Sequence, residues 1–362
     1  MRKKIMFYSM ALIKGGTERT ISNLSNYFVD KYDVVIVTNI NHKCEYELDK
    51  RVKVIKIDKE DKLNESTIKK VFTKLSTYRT KELDKIIEKE KPDIIFSLLP
   101  EPTIRLLSLK KKYNIPMILA VRNHPKRELL FKPSIIRNHF YKLADDIIIQ
   151  DSNFINYIPN RLHDKVTVIP NYLSDSFIDN KIANKKEKNI VTVARLEKDK
   201  NIKLLINAYK ELNNKDYKLL IYGDGKNKNK LIKLVNKYNL NNKIIFKGIT
   251  NNIAKDIKDA TLFVLPSNSE GMPNALIEAM SLGLPVISTN SSESISTIID
   301  NNINGIIVEK NNKKELVNKI EYLLNNKDIR DSIGKEAYKI KKIYNKDNII
   351  NKWEDLINKY IN

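Results

Sequence analysis

The sequence is poor in several residue types, and each shortage excludes a class of protein or site. It contains one cysteine, one tryptophan, four histidines and nine glycines in 362 residues. The lone Cys44 excludes an internal disulfide framework and fits a reducing cytoplasm. The scattered histidines lack the spacing of metal ligands, so we predict no metal site. No apolar run approaches the ~20 residues of a membrane span.

Acidic residues are also scarce relative to basic ones. There are 66 Lys and Arg against 44 Asp and Glu, which gives a formal net charge of +22. The excess is spread along the chain, and we expect much of it on solvated surface. A strongly basic protein nevertheless favours anionic partners, which here means a nucleotide, a nucleic acid or an acidic membrane surface.

What is present is a repeated alternation of apolar strands and amphipathic helices. Residues 4–9 predict the first strand, and strand–helix pairs follow it through residue 172. After a polar segment without periodicity, residues 173–188, the alternation begins again. The pattern predicts two Rossmann-like α/β domains with doubly wound parallel sheets, residues 1–172 and 173–345, facing a central cleft.

The last segment, residues 346–362, has the apolar spacing of a helix. Trp353 stands on the same predicted face as Ile350 and Ile357. We expect this helix to pack back on the N-terminal domain.

The most informative stretch is residues 267–280, which follows an apolar run, residues 261–266, predicted to be a buried strand. Gly271 can take a positive φ and let the backbone come close to a ligand, and Pro273 suits the first turn of a helix. The free amides at such a helix start bind phosphate. Glu270 stands where open α/β sheets place their ligands, and Glu278 lies in the helix. The other interpretation is two solvated carboxylates.

Gly15 and Gly16 follow the first predicted strand and precede an amphipathic helix. A strand, a glycine turn and a helix form a phosphate-binding arrangement. A simple tight turn explains the same pattern, so both interpretations stay open.

Taken together, these motifs resemble those of the family 4 retaining glycosyltransferases, which have the GT-B fold. The match is strongest at residues 270–280, where Glu270 and Glu278 have the E-x7-E spacing. Other matches occur in the family's order: Gly15 to Arg19, Ile169 to Asn171, Ala194 to Asn201, Gly223 to Gly225, and Gly283 to Ile287. The resemblance covers nearly the whole chain and is thinner across residues 40–115. It implies that residues 1–172 form the acceptor-side domain and residues 173–345 the nucleotide-sugar-binding domain.

The resemblance implies roles for charged residues at the matching positions. Arg195 and Lys200 would hold the diphosphate of a nucleotide-sugar, Arg as a bidentate fork and Lys as a point charge. Glu278 would accept hydrogen bonds from the ribose hydroxyls. Glu270 would contact hydroxyls of the donor sugar.

The resemblance also implies donor contacts made largely through the backbone. Gly15 and Gly16 would bring amides to the diphosphate, and Gly248 and Ile249 would lie by the base. The segment facing the sugar and phosphates would comprise Gly271, Met272, Asn274, Ala275 and Leu276. Pro273 cannot donate, so one amide present in many relatives is absent here.

One position of the family pattern can be filled in three ways. Many relatives carry a His after the fifth strand of the first domain, near the donor sugar. Here His124 follows Arg122 and Asn123, and any of the three can face the sugar. We include His124 among the predicted catalytic residues, with Glu270 and the two cations Arg195 and Lys200.

The predicted function is retaining transfer of a hexose or N-acetylhexosamine from a UDP-sugar. The acceptor would be a lipid-linked or envelope glycan of capsule, O-antigen or exopolysaccharide type. The sequence has no Asp-x-Asp motif, so we expect neither a catalytic metal nor a cofactor. The alternatives are a nucleotide-sugar epimerase of the same fold and, on charge alone, an anion- or nucleic-acid-binding protein.

We expect a cytoplasmic protein that contacts the inner face of an anionic membrane. Residues 126–142 place Leu129, Leu130 and Phe131 among basic residues, which suits an anionic lipid interface. Packing of these three side chains into the first domain is the competing interpretation.

Overall fold

The computed structural model describes residues 2–13, 15–40, 42–57, 68–122 and 134–361. The chain divides into two compact units, one of Met1–Ile169 with Asn351–Asn362 and one of Pro170–Ile350. Each unit is built on one parallel sheet flanked by helices, which confirms the predicted α/β fold class. The central cleft and the functional labels of the two domains stay predictions.

The first unit contains a seven-stranded sheet in the order β3-β2-β1-β4-β5-β6-β7. All its neighbouring strands pair in parallel. The strands are β1 Lys4–Ser9, β2 Asp33–Thr38, β3 Lys53–Lys56, β4 Ile94–Ser97, β5 Met117–Val121, β6 Asp146–Ile149 and β7 Val166–Val168. The α-helices before residue 170 are α1 Gly16–Phe28, α2 Ile68–Glu90, α3 Pro100–Ser108 and α4 Ser134–Tyr141.

The apolar strand sequences of the first unit form its core. Residues 5–8 of β1 and all of β4 are buried, as continuous apolar runs in a parallel sheet should be. The strand order reverses between β1 and β4, so the loops that follow these two strands diverge at that point. Open α/β sheets bind ligands in the crevice formed there.

The end of the chain completes the first unit. The last helix, Lys346–Ile361, contributes its residues from 351 onward. The indole of Trp353 is buried and meets the Phe96 ring edge-on, with ring centroids 5.5 Å apart. Lys359 pairs with the buried carboxylate of Asp146 at 2.9 Å.

The second unit contains a six-stranded parallel sheet in the order β10-β9-β8-β11-β12-β13. Its strands are β8 Glu187–Val193, β9 Lys218–Tyr222, β10 Ile244–Gly248, β11 Ala260–Leu265, β12 Val286–Thr289 and β13 Ile306–Val308. The α-helices are α5 Asp175–Ile178, α6 Ile202–Glu211, α7 Lys228–Lys237, α8 Ile253–Ile257, α9 Asn274–Ser281, α10 Glu293–Ile298, α11 Lys313–Asn325, α12 Lys327–Tyr338 and, shared with the first unit, α13 Lys346–Ile361. Apolar clusters cover both faces of the sheet.

The segment at the predicted domain boundary contains regular structure that the sequence pattern does not predict. Residues 173–188 were predicted to lack periodic structure, yet they contain α5 and the start of β8. Phe177 of α5 is buried and belongs to an apolar cluster of the second unit. A four-residue helix is too short to show a 3.6-residue period, which is why the pattern did not predict it.

Candidate functional site

The candidate residues of the second unit lie in two loops that follow neighbouring strands. β8 and β11 are adjacent, and the strand order reverses between them. Lys200 lies in the loop after β8, and Glu270 lies in the loop after β11. The carboxyl ends of parallel strands meet at one edge of a sheet, so this reversal brings together residues seventy positions apart.

Lys200 and Glu270 form a bidentate ion pair. The Lys200 Nζ donates to Glu270 Oε1 at 2.8 Å and to Oε2 at 2.7 Å. The side chains are 15% and 8% exposed, so the pair is largely removed from water. Asp199 places a second carboxylate 3.9 Å from the same nitrogen. Lys200 therefore lies among carboxylates, and Glu270 restrains the position of its ammonium group.

Hydrogen bonds through the buried Ser267 also fix the Glu270 carboxylate. Ser267 is fully buried, and its hydroxyl donates to Glu270 Oε1 at 2.6 Å. The backbone carbonyl of Ser267 in turn accepts the hydroxyl of Thr289, at the end of β12. Two neighbouring strand ends thus fix Glu270 Oε1, which accepts from both Ser267 and Lys200, and Lys200 also donates to Oε2.

Backbone and amide contacts fasten the two loops to each other. The N–H of Asn268 donates to the carbonyl of Asp199 at 2.7 Å. The Asn201 amide donates to Asn268 Oδ1 at 3.0 Å. The loops after β8 and β11 are therefore one connected structure, and Lys200 and Glu270 lie at its centre.

Arg195 lies in the same loop as Lys200 but is exposed. Its side chain is 64% exposed, and its Nη1 lies 3.1 Å from Glu197 Oε1. An exposed pair of this kind contributes little to stability, so the guanidinium remains able to exchange Glu197 for another anion. The structure does not show a contact between Arg195 and Lys200 among the described residues.

Two glycines allow the loop that carries Arg195 to lie against the end of β9. Gly223 has φ +121, and a Cβ there would lie 2.0 Å from the Ala194 carbonyl oxygen. Gly225 has φ +157, and a Cβ there would lie 2.8 Å from Leu196 backbone atoms. The N–H of Leu196 donates to the Asp224 carbonyl at 2.8 Å. Only glycine permits this approach at both positions.

The backbone at the start of α9 is already partly bonded. Gly271 could take a positive φ, but its φ in the structure is not positive. The backbone instead turns through Pro273, which precedes the helix at φ −80 and ψ 73. The N–H groups of Asn274 and Leu276 already donate, to the carbonyls of Met272 and Pro273 respectively. Sequence reasoning treated all the amides of this segment as free, because local turn bonds leave no trace in residue type.

The other residues of the second unit that are predicted to contact the donor lie in α9 and at or just after the end of β10. Glu278 is half-buried in α9, one helical turn after the first residue. Gly248 ends β10 at φ +72, and its carbonyl accepts the N–H of Gly223 at 2.7 Å. Ile249 follows and is 65% exposed, which is unusual for a large apolar side chain. Their roles toward a ligand stay predictions.

In the first unit, the glycine loop after β1 is held by a tyrosine. The N–H of Gly15 donates to the Tyr46 hydroxyl at 2.8 Å. That hydroxyl donates to the carbonyl of the same glycine at 2.6 Å. The prediction assigned the Gly15 amide to a ligand diphosphate, but in this structure Tyr46 accepts its hydrogen. Gly16 is the first residue of α1.

Arg122, one of the three candidates after β5, is buried against α1. Its Nη2 donates to the Thr20 hydroxyl at 2.7 Å, and that hydroxyl lies 3.0 Å from the Gly16 carbonyl. Burial lowers the pKa of Arg122 to about 10, so it remains a cation at neutral pH. The other two candidates, Asn123 and His124, lie outside the described residues.

Two further predictions bear on ligands and membranes. Within the described ranges, no three His, Cys, Asp or Glu side chains come together as metal ligands do. None of the helices described has both the length and the apolar character to cross a bilayer. Of the predicted lipid-binding segment 126–142, residues 126–133, which include Leu129, Leu130 and Phe131, lie outside the described part of the chain. The membrane contact stays a prediction.

Three supporting residues were missed by sequence reasoning. Ser267 has the i to i+3 spacing of a local Ser turn to Glu270, a signal that many surface turns share. Tyr46 gave no signal, because its partner lies 31 residues away in another loop. Asn268 also gave none, since its contacts with Asp199 and Asn201 depend on the order of the strands.

Comparison with known proteins covers both units. The family described as "Glycosyl transferase 4-like" matches residues 10–152. The family described as "Glycosyl transferases group 1" matches residues 174–340. Between them they account for the sheets of both units.

Three curated relatives are similar over long stretches. An uncharacterized glycosyltransferase of Methanocaldococcus jannaschii is 35% identical over 239 residues, 59% of either chain. A second from the same organism is 31% identical over 265 residues, 71% of this chain and 72% of the other. A Campylobacter jejuni α-1,4-N-acetyl-D-galactosaminyltransferase, named for its undecaprenol diphosphate-linked glycan, is 25% identical over 98% of both chains.

Solved structures share the fold. The sucrose-phosphate synthase of Thermosynechococcus elongatus superposes with a TM-score of 0.83 at 17% identity and covers 99% of both chains. Anabaena HepE, solved in complex with UDP, superposes with a TM-score of 0.80 at 15% identity over 98% of this chain and all of the other.

Proposed function

The chain belongs to the family 4-type glycosyltransferases with the GT-B fold, and from that premise we propose that it transfers a sugar from a UDP-sugar with retention of configuration. The donor sugar is a hexose or an N-acetylhexosamine. The acceptor is a lipid-linked or envelope glycan, as in the capsule, O-antigen and exopolysaccharide types. The Campylobacter relative's undecaprenol diphosphate-linked glycan and the UDP held by HepE support this assignment.

The observation that carries the proposal is the buried pair of Lys200 and Glu270 where the second sheet reverses its strand order. An ammonium has three N–H donors. Glu270 takes two of them, and the third can donate to a phosphate oxygen of the donor. The pair thus suits a site that binds a diphosphate on one side and sugar hydroxyls on the other.

In the proposed reaction, the bond between the anomeric carbon and the diphosphate oxygen breaks. The acceptor hydroxyl oxygen bonds to that carbon on the same face, and its proton passes to the departing diphosphate. Lys200 and Arg195 stabilise the charge that grows on the diphosphate. Glu270 binds donor-sugar hydroxyls, and Glu278 binds the ribose hydroxyls. No metal and no cofactor take part in this proposal, which rests on the lack of an Asp-x-Asp motif.

The remaining predicted contacts keep their assigned roles in the proposal. Gly16 approaches the diphosphate, Ile249 lies by the base, and Ala275 faces the sugar. The contact with the donor sugar that was predicted for His124, Asn123 or Arg122 is kept in the proposal. Peripheral contact with an anionic membrane would bring a lipid-linked acceptor to the enzyme.

The proposal is tested first by a thermal-shift screen of nucleotide-sugars. A ligand that binds the folded state raises the melting temperature, so UDP-sugars should raise it and GDP- or ADP-sugars should not. The reverse order would contradict the choice of nucleotide.

The reaction class is tested by the products of the best donor with lipid-linked glycan acceptors. Retention from an α-linked donor gives an α-linked product, and a β-linkage would contradict it. An unchanged rate in EDTA is expected for a metal-independent enzyme. Interconversion of the UDP-sugar without acceptor would instead identify the epimerase alternative.

A further inference from the structure

The Tyr46 hydroxyl makes two hydrogen bonds with one residue, accepting from the N–H of Gly15 and donating to its carbonyl. The side chain is half-buried. Burial raises the pKa of the Tyr46 phenol above its ordinary value. The phenol therefore keeps its proton at neutral pH and can remain a donor to the carbonyl.

These two bonds also determine the direction in which the N–H of Gly16 points. The Gly15 carbonyl also accepts the N–H of Arg19 at 3.0 Å, which is the first bond of α1. The carbonyl of Gly15 and the N–H of Gly16 belong to one planar trans peptide, so they point in opposite directions. Fixing the carbonyl therefore fixes the Gly16 N–H, which as a first-turn amide has no partner within the helix.

Tyr46 is itself anchored on both sides. The N–H of the preceding Glu45 donates to the Leu12 carbonyl at 2.9 Å, within the glycine loop region. On the other side, the Asn26 side chain of α1 donates to the Glu47 carbonyl at 2.9 Å. The backbone on either side of Tyr46 is thus hydrogen-bonded to the glycine loop and to α1, and this fixes the phenol next to Gly15.

We propose that Tyr46 is a positioning residue for donor binding, which holds both peptide units around Gly15 and aims the Gly16 N–H at the donor diphosphate. The inference rests on the proposed function, in which the glycine loop approaches that diphosphate. Glycine without such restraint samples many backbone conformations. Ordering one residue on binding costs about tenfold in the equilibrium constant, and Tyr46 meets that cost in advance.

The proposal assigns different tasks to the two glycines. The N–H of Gly15 donates to the phenol and stabilises the loop, whereas the N–H of Gly16 donates to the ligand. Thr20 supports the same arrangement, because its hydroxyl links the Gly16 carbonyl to the buried Arg122. Tyr46 contacts no reacting atom and is not a catalytic residue.

The test is Tyr46→Phe, which keeps the ring and removes both hydrogen bonds. The matched control is Tyr360→Phe, which removes phenol bonds of 2.9 Å to the Asp145 carbonyl and 3.2 Å to Asp146 Oδ2. Asp145 immediately precedes β6 and so lies at the amino-terminal ends of the strands, whereas the glycine loop lies at their carboxyl ends. Calorimetric titrations measure the Kd of UDP and of uridine, which lacks the diphosphate, for the parent and both variants.

We expect Tyr46→Phe to raise the Kd of UDP about tenfold and to leave the Kd of uridine unchanged. Tyr360→Phe should change neither. An unchanged Kd of uridine also shows that the Tyr46→Phe variant is folded.

Three results would overturn the inference. An unchanged Kd of UDP would show that the phenol does not prepare the loop. A lower Kd would show that it competes with the diphosphate for the Gly15 amide. Equal weakening of UDP and uridine would indicate general loosening. A parent that binds no UDP contradicts the proposed donor itself, and the two failures are therefore distinguishable.

Discussion

The loops at the carboxyl edges of the two sheets are held in different ways. In the second unit, two loops are fastened to each other, and a charged pair between candidate residues is among the fasteners. In the first unit, the glycine loop is held by a neutral phenol from another loop. The difference predicts that substitutions in the second unit damage the site and its support together. Substitutions around the glycine loop should have graded effects.

The largest effect is expected for Lys200→Met. It removes the proposed diphosphate ligand and leaves the Glu270 carboxylate buried without its cation. Loss of a donor that stabilises developing charge costs about 10²–10³-fold in kcat. Breaking a buried pair from one side also destabilises by about 3 kcal/mol. Steady-state kinetics and urea unfolding measure the two effects.

Glu270→Gln, alone and combined with Lys200→Met, sharpens this prediction. If the two residues act as a unit, the double variant should be little worse than the poorer single variant. Strictly additive losses in kcat/KM would show that the pair is not a functional unit.

The next effect concerns the backbone behind Arg195. Gly223→Ala would place a Cβ 2.0 Å from the Ala194 carbonyl oxygen, at a positive φ. We expect a loss of about 3 kcal/mol in the free energy of unfolding, because neither backbone segment can yield without displacing the loop.

Gly248→Ala is the matched control, since it also has a positive φ but nothing lies within 4 Å of the added Cβ. It should cost only the left-handed backbone strain, about 1 kcal/mol. Equal losses for the two variants in urea unfolding would mean that the close approach at Gly223 is not what matters.

A smaller effect is expected for Glu278→Gln, which lies on α9 rather than in the fastened loops. The change keeps the shape and removes the charge from the proposed ribose contact. The Kd of UDP should rise about tenfold, the size of a charged hydrogen bond. Glu336→Gln, an exposed change at a residue paired with Lys339, is the control and should leave the Kd at the parent value. Equal UDP affinity in both variants would remove Glu278 from the site.

The smallest effect is expected for Ser267→Ala. It removes one hydrogen bond to Glu270 Oε1 while Lys200 still pairs with the carboxylate. We expect kcat/KM to fall about fivefold, corresponding to about 1 kcal/mol. Ser281→Ala, a buried change at a hydroxyl that donates to a helix carbonyl, should leave kcat/KM unchanged. A larger loss at Ser281 than at Ser267 would contradict the proposed support of Glu270.

The same contrast separates what the sequence predicts from what it does not. Apolar runs predicted the strands because a strand buried on both faces needs them, and β11 lies within one residue of the predicted run. Family motifs led to Lys200 and Glu270, and the structure brings these two together. Neither pattern contained their hydrogen-bonded geometry, which depends on β8 and β11 being neighbours.

Other details depended on contacts that no local pattern encodes. Gly271 is free to take a positive φ, but the chain turns at Pro273 instead. The Gly15 amide was expected to be free, but Tyr46 occupies it. Both outcomes have one physical cause. A residue type limits the conformations and hydrogen bonds open to its backbone, whereas tertiary partners decide which of them occur.

The central claim is that the fastened loops of the second unit hold a UDP diphosphate. Its most direct test is titration of UDP and uridine into the parent and into Arg195→Ala, whose guanidinium is exposed and supports no fold contact beyond Glu197 among the contacts described. The parent should bind UDP more tightly than uridine. Arg195→Ala should lose most of that difference, about tenfold or more, with an unchanged uridine Kd. An undiminished preference for UDP in Arg195→Ala would contradict the claim.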